Sequence, residues 1–114
     1  MGLLQIVFII FAAVASGGVL MLGLILARVI IPSFLGPAHG LAAFAALGLL
    51  LTANMQSAET PARAWWALAV FFGGFLGGLL FFKILYPKSA PAILALAHGS
   101  VAALGLYLLY GAAF

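Results

Sequence analysis

Cysteine is absent, and acid nearly so: Glu59 is the only carboxylate side chain in the 114 residues. Without thiols there is no disulfide framework and no thiolate metal site. None of the apolar runs contains a Glu or Asp, which sets aside a small four-helix proton-coupled exporter, since that chemistry needs a membrane-embedded carboxylate. A Ser-His-Asp set is excluded as well, because Glu59 sits in a polar stretch far from either histidine. Positive charge is thin too. Arg28, Arg63, Lys83 and Lys88 are scattered and bring the formal net charge only to +3. Nucleic-acid binding needs clustered bases that displace counterions, so no nucleic-acid partner is expected. The glycine pairs follow no strand pattern and cradle no phosphate.

What fills the chain is apolar: 68% hydrophobic residues against 4% charged. Soluble domains carry about a quarter charged residues, so this composition belongs in lipid. The expected fold class is all-α integral membrane, a single membrane domain over residues 1–114. Its four transmembrane helices are expected at about 3–31, 32–55, 62–86 and 90–113. The first would be roughly 43 Å long against a hydrocarbon core of about 30 Å, so it must tilt or bend. Ser16-Gly17-Gly18 is the expected bend. The second helix starts at Pro32 or at Pro37. Thr52–Arg63 is the one polar run and reads as a water-exposed connection, with Thr60 as N-cap and Pro61 opening the third helix. Within it, Glu59 and Arg63 are spaced for a weak surface pair, about 0.3 kcal/mol. Ala13-Val14-Ala15 mimics a signal-peptidase site, but no base precedes it and the apolar run continues to Ile31, so a membrane helix is expected instead. Ile6 stands where myristoylation needs Ser or Thr.

The chain also repeats itself. Pro91–Phe114 lies without a gap over Pro32–Met55 when shifted by 59 positions, matching Pro32/Pro91, His39/His98 and Gly40/Gly99. Alanine and leucine matches mean little in such a chain. The histidines do not share that weakness, because there are only two and both fall on one repeat position. The reading is a tandem duplication of a two-helix unit, about 1–57 and 60–114.

The bases orient the bundle. Arg28, Lys83 and Lys88 flank the first and third connections, whereas Arg63, partly offset by Glu59, lies with both termini. The positive-inside rule puts the three-base end in the cytoplasm and both termini on the other side, in what is expected to be a bacterial inner membrane. Trp65, Trp66, Tyr107, Tyr110 and Phe114 then mark the outer interface and Tyr86 the inner one.

Two features carry chemistry. Gly73-Gly74-x-x-Gly77-Gly78 is a doubled small-xxx-small motif, either an internal helix contact or a docking face for another subunit or copy. Phe71, Phe72, Phe75, Phe81 and Phe82 surround it. His39 and His98 each sit seven residues past a proline, in patches of mostly small residues. If the repeats are related by an axis along the membrane normal, both imidazoles come to one depth and can face each other. That suits two axial ligands on one haem iron, with small residues making room for the macrocycle. Arg28, Lys83 and Lys88 would then be candidate propionate partners. In plan, though not in motif, this resembles the b-type cytochromes. Alternatively, each histidine bonds a carbonyl of a neighbouring helix, which holds membrane helices together for about 0.6 to 2 kcal/mol. A histidine-only zinc or copper site would need ligands from a second copy.

The leading functional expectation is a small non-catalytic integral-membrane subunit, packed in a larger respiratory or photosynthetic type of complex. Its partners would be the lipid bilayer and other membrane subunits or further copies. The alternative is a bis-histidine haem b electron-transfer subunit. A third reading is a small channel or carrier whose path the histidines line.

Overall fold

Long apolar runs leave the backbone no partner in lipid but itself, so helices are the economical answer. The computed structural model covers Met1–Phe114 and contains four: α1 (Leu3–Leu26), α2 (Leu35–Met55), α3 (Ala62–Leu79) and α4 (Ala92–Ala113). A six-residue π-helical turn, Leu80–Leu85, extends α3. With that turn included, all four helices are long and apolar enough to cross a membrane. The long axis of 45 Å matches a bilayer of about 40–45 Å counted through its headgroups.

Helix ends have local causes. At the start of α1, the Gln5 side chain accepts a hydrogen bond from the Gly2 N–H at 2.9 Å. The helix stops at Leu26, five residues short of the expected Ile31, because Arg28 takes a left-handed conformation (φ 58°). The Val29 N–H then reaches the Leu24 carbonyl at 2.9 Å and the Arg28 N–H the Ile25 carbonyl at 3.1 Å. This is a Schellman stop, with arginine in the place glycine usually takes. The expected bend at Ser16–Gly18 does not interrupt α1, which remains helical throughout. Neither proline opens α2. It starts at Leu35, with the Leu35 N–H on the Pro32 carbonyl at 3.1 Å, and Pro37 falls in the first turn, where its missing N–H costs nothing. Pro61 is the N-cap of α3 rather than its first residue. The Thr60 hydroxyl turns back instead, donating to the carbonyls of Asn54 and Ser57. The fourth helix likewise starts just past its proline, Pro91.

Each helix packs against the next, and α4 closes the ring on α1. The order is therefore up-down-up-down, with α1 facing α3 and α2 facing α4 across the two diagonals. Phe8 of α1 touches Tyr110 and Phe114 at the end of α4, with ring centroids 5.7 and 5.6 Å apart, so both termini share one end with the α2–α3 connection. At that end Arg63 lies over Gly111 of α4 rather than seeking Glu59.

The two halves of the bundle are packed differently. Every buried residue lies in the half that holds the termini: Val7 and Phe11, Ala46 to Asn54, Ala64 to Phe71, Gly105 and Leu109. At its centre Phe11 and Phe71 stack at 3.9 Å, nearly parallel, and Phe71 presses on Gly105. Asn54 is buried there and donates to the Ala64 carbonyl at 3.1 Å, tying the end of α2 to the start of α3. The opposite half has no buried side chain. It contains both histidines, the π turn and two open grooves.

Candidate functional site

His39 lies four residues into α2 and His98 six residues into α4, so both sit about 6 to 9 Å inside the same end of the bundle. They come from diagonal helices and meet, with ring centroids 6.4 Å apart and planes at 70°. Both are half-buried. Phe82 stands edge-on to His98, centroids 5.5 Å apart.

Glycines on the other diagonal make this possible. A Cβ added at Gly18 of α1 would stand 3.2 Å from Cε1 of His39, and one added at Gly78 of α3 would stand 3.0 Å from Cε1 of His98. Each imidazole therefore lies on a bare patch of the helix that precedes its own in sequence. Gly17 adds to the first patch, since a Cβ there would stand 3.8 Å from Nδ1 of His39. The doubled motif on α3 divides by face. Gly74 and Gly78 meet Val101 and His98 of α4, while Gly73 meets nothing and Gly77 only Phe81 of its own helix.

Most other polar groups within the spans are already satisfied. Ser16, Thr52 and Ser100 each donate to the carbonyl four residues back. Nδ1 of His39 is buried and makes no well-formed hydrogen bond, but the histidines face backbone carbonyls of the neighbouring helices, Val14 of α1 for His39 and Gly74 of α3 for His98. No third His, Cys, Asp or Glu joins the pair, so the protein alone supplies two ligands to any metal. With Cε1 of each ring resting on glycine, the nitrogens now face α1 and α3. Rotation about the side-chain bonds is needed to aim both at one point.

The three bases expected near the site stand at its end of the bundle. Arg28 forms the stop of α1, Lys83 lies in the π turn and Lys88 lies in the α3–α4 connection. Lys83 lines a groove between α2 and α3, on the far side of α2 from the groove of about 450 Å³ that reaches His39 between α1 and α2.

No protein-family model, curated protein or solved structure matches the chain.

The glycines opposite the rings were legible only as a bend (Gly17, Gly18) and as a packing motif (Gly74, Gly78). One signal was present. Gly17-Gly18 and Gly77-Gly78 are 60 positions apart, one more than the 59 that separate the histidines.

Proposed function

We propose that the chain is a small integral-membrane subunit that holds one b-type haem between His39 and His98 and passes electrons to a membrane partner. The observation that carries this reading is the crossing of two diagonals: histidines from α2 and α4 at 6.4 Å, glycines from α1 and α3 beside them. His39 and His98 would hold the group after turning one nitrogen each away from α1 and α3 toward the other ring. With one ring nitrogen turned to the Val14 or Gly74 carbonyl, each histidine would present the other to a metal. Haem would supply reversible one-electron chemistry there, held by His39 and His98.

The duplicated plan supports the same reading, since each two-helix unit gives one histidine and the glycine it rests on. Arg28 and Lys88 at this end suit propionates, Lys83 being turned to the α2–α3 groove, and by the positive-inside rule the three bases favour a site in the cytoplasmic half with both termini opposite. A subunit role fits 114 residues that lie almost wholly in helices, with electron exchange left to a neighbour.

Absorbance tests the reading directly. Protein purified in mild detergent from a haem-replete host should give a reduced-minus-oxidised spectrum of a low-spin bis-imidazole haem. His39→Ala and His98→Ala should each abolish it while leaving helical circular dichroism unchanged. A colourless wild type, or haem retained in either variant with its spectrum intact, would remove the proposal.

A further inference from the structure

A second feature of the open half lies between α2 and α3. Gly36, Gly40 and Phe44 follow one face of α2 at four-residue spacing, and Phe75, Leu79 and Lys83 follow the facing stripe of α3 in the opposite direction. Pro37 and Leu41 complete the wall of a groove of about 230 Å³. Its inner end is stopped by the rings of Phe44 and Phe75, whose centroids are 5.9 Å apart. Its mouth is at Lys83, exposed and without an acid nearby, since Glu59 belongs to the opposite end.

The glycines here differ from those under the histidines. A Cβ added at Gly36 or Gly40 would meet nothing within 4 Å, whereas at Gly18 and Gly78 it would press on an imidazole. Close helix approach therefore does not explain them, and what they leave is volume. From Gly36 to Phe44 the groove runs roughly 12 Å along the helix. It is apolar inside, closed at depth and cationic where it reaches the interface.

We infer that this groove seats one acyl chain of an anionic phospholipid, with the headgroup phosphate paired to Lys83. Charge selects the headgroup, because the ammonium is a point charge that attracts phosphate without demanding a fixed geometry. The lysine stem can lie along the apolar wall while its tip reaches the headgroup layer. Basic sites between transmembrane helices bind anionic lipid headgroups in this manner. The π turn holding Lys83 fits, since such turns recur where a helix is re-aimed at a functional site. This inference does not rest on haem, and haem-free protein should behave identically.

Native mass spectrometry from micelles containing phosphatidylglycerol and phosphatidylcholine in equal amounts tests it. Wild type should retain one phospholipid and favour phosphatidylglycerol roughly fivefold, the weight of one basic residue near an anionic surface. Lys83→Gln should retain lipid without that preference. Gly40→Leu fills the groove where the fold leaves space and should lose the retained lipid with its helical signal intact, and Gly36→Leu serves as the second such variant. Equal retention of both lipids by wild type, undiminished retention in the two leucine variants, or displacement of the lipid by inorganic phosphate would overturn the inference.

Discussion

Gly105→Ala adds one methyl group to α4 at the tightest point of the bundle. The new Cβ would lie 2.6, 2.8 and 2.8 Å from Cε1, Cδ1 and Cζ of Phe71. Carbon atoms prefer about 3.5–4.0 Å, so the ring must retreat by roughly 1 Å. It has little freedom to do so, being stacked at 3.9 Å on Phe11. Overpacking of this kind costs about 1–3 kcal/mol, while replacing a helical glycine by alanine returns up to about 1 kcal/mol. The expected net effect is a destabilisation of up to about 2 kcal/mol. Gly99→Ala makes the same chemical change two turns earlier on the same helix, where the added Cβ meets nothing within 4 Å. Only the propensity gain remains, so that variant should be stabilised by about 0.5–1 kcal/mol. The two substitutions should therefore differ in sign. Reversible unfolding in mixed micelles, followed by circular dichroism and by Trp65 and Trp66 fluorescence, measures both. A Gly105→Ala protein as stable as Gly99→Ala would refute the claim that α1, α3 and α4 meet through a glycine-seated aromatic stack.

Three further outcomes follow from the same geometry. Phe11→Ala removes one ring of that stack from a residue only 4% exposed and should cost about 3–5 kcal/mol in the same assay. Gly78→Val and Gly77→Val are neighbours with opposite surroundings. The first drives a side chain into His98 and, if the site holds haem as proposed, should largely abolish the haem absorbance, whereas the second should leave it near wild type. Arg28→Gly relieves a left-handed arginine at the stop of α1 and should raise the melting temperature in detergent by the equivalent of about 1 kcal/mol.

The spans were legible because lipid imposes a length and a composition on any helix that crosses it, and the four apolar runs meet both. Proline placed the boundaries only to within a residue or three: α3 starts just after Pro61 and α4 just after Pro91, whereas α2 starts between Pro32 and Pro37. The end of α1 was not legible, because Leu24–Ile31 contains no glycine or proline. Its stop depends on a backbone conformation that arginine seldom adopts and that sequence pattern does not signal. The π turn was hidden for a similar reason, since Leu80–Leu85 is composed of ordinary helix residues.

The site was half legible, and the missing half shows what a single chain pattern can and cannot carry. Two histidines, each seven residues past a proline, implied two rings at matching depth, because equal distance along parallel helices gives equal depth. Which helices lie between them is a property of the closed ring of contacts, and spacing alone does not give it. Glycine is the clearest instance. Gly78 and Gly40 read alike in sequence, yet one seats an imidazole and the other leaves open volume. The difference lies in what the neighbouring helix presents: a histidine of α4 facing Gly78, and the apolar face of α3 standing off from Gly40. For the same reason the division into a packed half and an open half could not be read from hydropathy, which is high throughout. It follows from where Phe71 finds a glycine to press on and where α2 has only glycine to offer.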